Sequence, residues 1–217
     1  MFKGFAQRSS RLHRFTSTIL VALSLSFTPA MVSATCFEPS PLSPRGADPY
    51  TELNATQLSS GQRNTINKFL RSLRGRWLGT ARGYFCSGTV RSPKQVSDNA
   101  SLTINFDTNG RDKVVMNATL TASGKRVTRS ERLQLILGAS SLRVNGDNAA
   151  SEVQLLSASG SSIAFAIKNQ RTRGNGSRGL AEVHRYISVS ATQLSIEFVV
   201  YSQGGLSSSS RWTARKR

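Results

Sequence analysis

From about residue 76 onward, apolar and polar residues alternate along the chain with a period of two. The segments Leu102–Phe106 and Val114–Leu120 show this alternation most clearly. Because side chains on a strand point alternately to its two faces, the pattern predicts β-strands with one buried face. With the segment Arg76–Cys86 and seven further apolar stretches, about ten strands are expected. The intervals between them are short and contain turn residues, so only antiparallel neighbours fit.

One helix is predicted before these strands. Ser59 and Gln62 have the spacing of a capping box. The apolar residues that follow recur at helical spacing, and they are Ile66, Phe69, Leu70 and Leu73. Gly75 can end the helix by adopting a left-handed conformation. Residues 35–58, which include four prolines between 39 and 49, form an irregular leader before the helix.

A sheet of ten short antiparallel strands with one solvent-exposed face has two exposed edge strands unless it closes on itself. We therefore expect an all-β domain over residues 59–217, built as an antiparallel up-and-down barrel preceded by one short helix. A two-sheet sandwich is the alternative. On the barrel hypothesis, the apolar residues of each strand point inward.

The first 34 residues are typical of a signal peptide. They carry Lys3, Arg8, Arg11 and Arg14 without an acidic residue, followed by the short apolar stretch 19–27 and by Val32-Ser33-Ala34. A mitochondrial or plastid transit peptide is the alternative. Cleavage after Ala34 would give a periplasmic or secreted protein that begins at Thr35.

The chain has 29 Lys and Arg against 11 Asp and Glu, for a formal net charge of +18. Without residues 1–34 it would keep 25 basic and 11 acidic residues, a net charge of +14. A charge of this size attracts anions such as acidic polysaccharides or lipid head groups. Good solubility is the simpler explanation of the same charge.

The only two cysteines are Cys36 and Cys86, which in an exported chain would form one disulfide. That bond would tie the leader to the first strand. A disulfide closing a loop of this length contributes on the order of 4 kcal/mol in the chain-entropy model.

The segment from Arg74 to Cys86 resembles the opening strand of the lipocalin and fatty-acid-binding-protein superfamily. Gly75 and Trp77 match the Gly-x-Trp pair of that superfamily, and the preceding helix matches its short opening helix. The resemblance implies a ligand-binding barrel, and the alternation of this strand independently puts Trp77 on the inward face, where it would plug one end of the barrel. The resemblance also implies a basic side chain over the tryptophan, for which Arg215 is the candidate, with Arg211 and Arg217 as alternatives.

A barrel of this size can hold a small apolar or amphiphilic ligand. The candidate ligand-binding residues combine apolar and charged side chains on the face expected to point inward: Phe85, Met116, Arg129, Glu131, Phe165, Arg185 and Phe198. A filled core is the alternative for the apolar members. Arg129 and Glu131 would instead face solvent if their strand began only at Arg132. Arg185 would bind a ligand carboxylate or pair with Glu131.

Glu182, His184 and Tyr186 alternate on one face of a predicted strand. They could form an acid–base cluster, but the segment lacks any nucleophile motif, and an exposed strand surface explains them better. His184 is the only histidine after residue 34, which argues against a histidine-rich metal site. We expect no enzyme activity, metal or cofactor.

Basic residues concentrate in the segment 170–178 and in the C-terminal tail, and the candidate anion-binding residues are Arg171, Arg173, Arg178, Arg215 and Arg217. Arginine suits contacts to sulfate, phosphate and carboxylate. Few aromatic residues lie among them, which argues against specific nucleic-acid binding. Two functions therefore stand: a monomeric binding protein for a small ligand, and a basic envelope protein that binds polyanions or anionic membrane surfaces.

Overall fold

Eleven strands and one helix make up the described part of the chain. The computed structural model describes residues 54–89, 92–108, 110–124, 128–146, 149–172, 178–202 and 205–217, all of which belong to one compact unit. The elements in chain order are α1 (Ser60–Ser72), β1 (Gly75–Thr89), β2 (Ser92–Thr108), β3 (Lys113–Ala122), β4 (Thr128–Leu137), β5 (Leu142–Gly146), β6 (Ala149–Glu152), β7 (Gln154–Ala158), β8 (Ser162–Thr172), β9 (Arg178–Val189), β10 (Gln193–Ser202) and β11 (Gly205–Lys216).

The strands form one antiparallel sheet that bends into a nearly closed barrel. Each strand pairs with its neighbours in sequence, except that β6 and β7 do not pair with each other, and β1 also pairs with β11, so the chain runs up and down around the wall. This confirms the all-β barrel with one short helix. The count is eleven rather than ten because β6 and β7 are separated only by Val153.

The sheet closes within this interrupted strand. Its first half, β6, pairs with β5, and its second half, β7, pairs with β8. Thr56 lies at the interruption: its backbone N–H donates to the Val153 carbonyl, and its hydroxyl accepts from the N–H of Leu155. Between β6 and β7 the strand changes its pairing partner, which leaves backbone groups without a strand neighbour. The segment before the helix supplies hydrogen-bond partners for these groups.

Helix α1 begins and packs as the sequence predicts. Ser59 and Gln62 form the expected capping box, and the stripe that includes Ile66, Phe69 and Leu70 is fully buried. The helix contacts β3, β4, β7 and β8. Asn67 donates to the carbonyl of Arg111, in the turn between β2 and β3. The helix therefore lies at the same end of the barrel as this turn. We call this end the closed end and the opposite end the mouth.

Trp77 lies at the closed end, at the start of β1. Its side chain is fully buried, and its indole N–H donates to the carbonyl of Leu73, at the end of α1. Gly75 links helix to strand with a φ of 125°, a conformation that favours glycine. The cation over the indole ring is Lys216, whose Nζ lies 5.3 Å from the ring centroid. The expectation of Arg215 at this place was wrong. Arg215 is exposed and pairs with Leu78, so its side chain belongs to the outer face of the barrel, whereas Lys216 pairs with Trp77.

The interior is filled unevenly from end to end. Side chains exposed by 2% or less pack together toward the closed end, among them Trp77, Ile104, Met116, Leu135, Leu142, Ile163 and Ile187. Toward the mouth, the inward positions Gly83, Ala100, Leu120 and Ser208 of β1, β2, β3 and β11 are only half-buried, whereas Val183 and Val200 of β9 and β10 remain buried. Space for a ligand is therefore to be sought in the mouth half.

Three further expectations concern residues 1–53 and the disulfide. Residues 1–53, and with them the signal peptide, most of the leader and Cys36, lie outside the described residues. Cys86 lies in β1, opposite Gln95. Among the described residues, no helix has the length and apolar character needed to cross a bilayer.

Candidate functional site

An ion pair crosses the inside of the barrel. Both terminal nitrogens of Arg185 lie 3.2 Å from Oε1 of Glu131. Arg185 belongs to β9 and Glu131 to β4, which are several strands apart in either direction around the wall, so the pair spans the interior rather than one seam of the sheet. The two side chains are 13% and 19% exposed, which places the pair within reach of solvent.

Phenylalanines flank Arg185 on both neighbouring strands. Phe165 of β8 and Phe198 of β10 are its direct partners on the two neighbouring strands. The central carbon of the guanidinium lies 4.3 Å from the centroid of the Phe198 ring, a distance at which the cation is attracted to the ring face. Phe198 in turn packs on Trp212, with ring centroids 4.6 Å apart. A charged group is thus held on an aromatic platform.

Phe85 and Arg129 lie nearer the rim. Both occupy inward positions of their strands, with Arg129 two residues nearer the mouth than Glu131, and both are exposed. Phe85 is the one large apolar side chain among the described residues with high exposure, at 44%. An exposed aromatic ring at the opening of a barrel is a suitable first contact for an apolar molecule.

The remaining candidates for ligand contact divide by depth. Phe165 is fully buried beside Arg185, while Met116 is 1% exposed and one inward position deeper than the level of Glu131. The strand register therefore brings six of the predicted residues to the level of the ion pair or nearer the mouth: Phe85, Arg129, Glu131, Phe165, Arg185 and Phe198. Met116 belongs to the packed closed half.

Trp212 was missed as a member of the interior. From its basic residues, the C-terminal tail is expected only to form a cluster of positive charge. In the structure Trp212 is a buried residue of this tail, 3% exposed, and its indole N–H donates to the hydroxyl of Ser210. The signal was present in the sequence. Trp212 and Ala214 alternate with the basic residues Arg211 and Arg215, as in an ordinary strand with one buried face.

The candidate anion-binding arginines do not come together. Arg171 and Arg178 belong to the β8–β9 hairpin at the mouth. Arg215 and Arg217 lie at the closed end, where the backbone N–H of Arg217 donates to the carbonyl of Arg76. Arg173 lies outside the described residues. The two groups lie at opposite ends of the barrel because β9, β10 and β11 carry the chain from one end to the other between them, and anion binding by these residues stays a prediction.

Glu182 and His184 were expected on an exposed surface, and this expectation was also wrong. They lie on the outer face of β9, yet His184 is fully buried and Glu182 is 5% exposed. Nε2 of His184 is 2.6 Å from Oε1 of Glu182, and its ring is 5.1 Å from that of Tyr201 on β10. Val199, Tyr201 and the half-buried Tyr186 form a second apolar cluster on this face. The part of β9 and β10 near the mouth is thus buried on both faces.

Two grooves run along the outer wall, on the side opposite the interior. The first, of about 590 Å³, includes Leu78, Ser195 and Arg215 in its lining, and the second, of about 650 Å³, includes Arg82, Asn99 and Arg211. They share Thr80 and Thr213, which are direct partners on β1 and β11. No group of three or more potential metal-ligating side chains occurs within the described ranges.

Comparison with known proteins gives distant structural likenesses only. No protein-family model and no curated protein match the sequence. Rv2717c from M. tuberculosis is similar over 74% of this chain and 99% of its own, with 18% identity and a TM-score of 0.46. The S-type phycobiliprotein lyase CPES from Guillardia theta is similar over 74% and 98%, with 10% identity and a TM-score of 0.44.

A protein of unknown function from the DUF3598 family of Nostoc punctiforme is also similar. The match covers 76% of this chain and 51% of that one, with 14% identity and a TM-score of 0.43. With TM-scores of 0.43 to 0.46, these likenesses are too distant to indicate a function.

Proposed function

We propose that the barrel is a non-catalytic binding protein for a small amphiphilic ligand with an acidic head group. The observation that carries the proposal is the Glu131–Arg185 pair across the interior, held against Phe198 and still partly open to solvent. The resemblance of the Gly75-x-Trp77 opening strand to lipocalins and fatty-acid-binding proteins supports the same function.

Arg185 is the group best placed to bind the head group. Its planar guanidinium offers several donors in a fixed geometry, so it can bind a carboxylate or sulfonate in two parallel hydrogen bonds. A buried arginine needs an acidic partner, and Glu131 supplies one. A ligand acid would take over this role and release Glu131 toward the rim, where Arg129 lies nearby on the same strand.

The apolar part of the ligand would lie along the mouth half. Phe198 and Trp212 provide flat surfaces, Phe85 extends them to the rim, and the small residues Gly83 and Ser208 next to Phe85 on β1 and β11 leave room there. The packed closed half limits how deep a ligand can reach. The net charge of the chain favours an anionic over a cationic ligand, because a positive protein concentrates anions near its surface.

We also propose that the chain is exported to the periplasm or the medium and acts there as a monomer. The basic start, short apolar core and small residues at positions 32–34 support export. N-terminal sequencing of protein recovered from its own host tests this proposal. A first residue of Thr35 is expected, and protein found only inside the cell with Met1 retained would refute it.

Tryptophan fluorescence tests the binding proposal, because the two tryptophans lie in different parts of the barrel. A bromine-labelled fatty acid quenches an indole ring that it contacts. We expect quenching of Trp212 in the Trp77→Phe variant, and almost none of Trp77 in the Trp212→Phe variant. Equal quenching of both, or of neither, would refute a ligand site in the mouth half.

The role of Arg185 is tested by comparing decanoate with decanol. In Glu131→Gln/Arg185→Gln, which removes both charges of the pair, decanoate should bind about tenfold more weakly, since the loss of one charge-assisted contact costs at least about 1.4 kcal/mol. Decanol binding should change less than about twofold. Arg132→Gln, on the outer face of β4, is the control for the loss of a positive charge. A decanoate affinity that is unchanged in the double variant would refute the role of Arg185.

A further inference from the structure

The outer wall of the barrel carries a continuous row of hydroxyl side chains. Six of them are direct partners on six neighbouring strands, and we call them the hydroxyl row: Ser188, Ser195, Thr213, Thr80, Ser101 and Thr121. Neighbouring strands lie about 4.8 Å apart, so the row extends over about 24 Å of the wall. The hydroxyls of Thr80 and Thr213 lie 3.4 Å apart at its centre.

The row runs along the floor of the two outer grooves. Ser188, Ser195 and Thr213 line the first groove, and Thr80 and Ser101 line the second. The outside of a barrel is ordinarily convex, but here the twisted sheet leaves a continuous depression that crosses five strands. Hydroxyl groups both donate and accept hydrogen bonds, so this floor matches a partner that is itself rich in hydroxyls and acidic oxygens.

Arginines flank the row on both sides. Arg82 of β1 and Arg211 of β11 lie two residues from Thr80 and Thr213 toward the mouth, and Arg215 lies two residues from Thr213 toward the closed end. Arg82 and Arg211 are direct cross-strand partners. Two like charges placed opposite each other destabilise a sheet, so an anion bound between these two arginines would be stabilising.

The protein itself supplies only part of the compensating negative charge. Glu197 on β10 is 4% exposed, and its Oε2 lies 3.3 Å from Arg211, which is itself 55% exposed. Arg82 donates instead to the neutral side chain of Asn99, at 3.0 Å. Among the described residues, one buried carboxylate thus contacts one of the three flanking arginines, Arg211. The local excess of positive charge lies along the lining of the two grooves.

We infer that this outer groove binds a strand of acidic polysaccharide, with sugar hydroxyls on the hydroxyl row and carboxylate or sulfate groups on Arg82, Arg211 and Arg215. A single-stranded nucleic acid would need aromatic platforms along the groove, and its lining holds one aromatic ring, that of Tyr84. A membrane surface favours protruding rather than recessed charge. The site is on the opposite face of the wall from the proposed ligand pocket and does not depend on it.

A pair of charge-matched variants tests the inference. Arg82→Gln/Arg215→Gln removes two charges beside the hydroxyl row, whereas Lys68→Gln/Arg132→Gln removes two exposed charges on the helix and on β4. The probe is a size-defined heparin oligosaccharide, measured by calorimetry with the full chain. We expect the first variant to weaken binding about tenfold or more, and the second less than about threefold. Equal losses would show that net charge alone attracts the oligosaccharide and would overturn the site.

A second variant addresses the hydroxyl groups without changing charge. Thr80→Val/Thr213→Val keeps the shape of the side chains and removes two hydroxyls from the floor of the groove. We expect weaker binding of the oligosaccharide by about fivefold, with unchanged binding of a polyphosphate of similar charge. The assignment to a polysaccharide would be overturned if the variant bound both probes more weakly by the same factor, or if it bound both as tightly as the original protein. Tighter binding of the original protein to vesicles of anionic lipid than to the oligosaccharide would overturn it as well.

Discussion

Gly79 of β1 lies directly against Ala214 of β11, its cross-strand partner. A Cβ atom built at position 79 would lie 2.6 Å from the Cα of Ala214 and would overlap the carbonyl oxygen of Thr213. The two strands approach so closely that only hydrogen fits between them. This contact joins the first strand of the barrel to the last and so completes the wall on that side.

Replacing Gly79 by alanine should therefore destabilise the protein strongly. The overlap is with backbone atoms, which cannot rotate away, so we expect a loss of about 3 kcal/mol in the free energy of unfolding. Urea denaturation measures it. Gly83→Ala is the matched control on the same strand and face, because its Cβ would meet its nearest atom only at 4.0 Å. A change within about 0.5 kcal/mol is expected there; similar losses at both positions would contradict the close approach at Gly79.

Breaking the interior ion pair should affect stability and ligand binding differently. In Glu131→Ala, Arg185 loses its partner in a largely buried position, and we expect a loss of about 2 kcal/mol. In Glu131→Leu/Arg185→Leu both charges are gone and the side chains are apolar, so stability should return to within about 1 kcal/mol of the original. Thermal unfolding measures both variants.

The same double variant should nevertheless fail to discriminate decanoate from decanol. Recovery of stability together with unchanged preference for the acid would show that Arg185 holds the barrel together without selecting the ligand.

The hydrogen bond from Trp77 to Leu73 should contribute measurably to the closed end. Trp77→Phe keeps an aromatic ring but leaves the buried Leu73 carbonyl, one of the last of α1, without its donor. We expect a loss of about 2 kcal/mol in chemical denaturation. Trp212→Phe removes an indole N–H that bonds to a half-buried hydroxyl, Ser210, and should cost about 1 kcal/mol. A larger cost for Trp212 than for Trp77 would contradict the assignment of Trp77 as the plug of the barrel.

The buried His184–Glu182 pair predicts a cost where an exposed surface would predict none. His184→Ala removes a fully buried ring and leaves Glu182, itself 5% exposed, without that contact. We expect a loss of about 3 kcal/mol in the free energy of unfolding. Ser188→Ala, at an exposed position of the same face of β9, is the control and should change stability by less than about 0.5 kcal/mol. A change at His184 as small as that at Ser188 would restore the exposed-surface interpretation.

Local features were within reach of the sequence because they depend on neighbours along the chain. The capping residues Ser59 and Gln62 lie three positions apart, and the helical stripe from Ile66 to Leu73 repeats within two turns. The alternation of strand residues assigns an inner and an outer face to each strand, since the pleat has a period of two. The inward position of Arg185 follows from the same rule. The antiparallel order of the strands follows from their short connections.

Relationships between distant strands were decided only by the tertiary structure. That Arg185 reaches Glu131 across the interior, one of the two roles expected for it, depends on the closure of the barrel. Why Lys216 rather than Arg215 lies over Trp77, and how Arg82 comes to face Arg211, depend on the register of β1 with β11. Register is set by the joint packing of all the inward side chains, a sum over the whole interior that no single segment contains. The burial of His184 on an outer face has the same origin, because alternation identifies a face but not what lies against it.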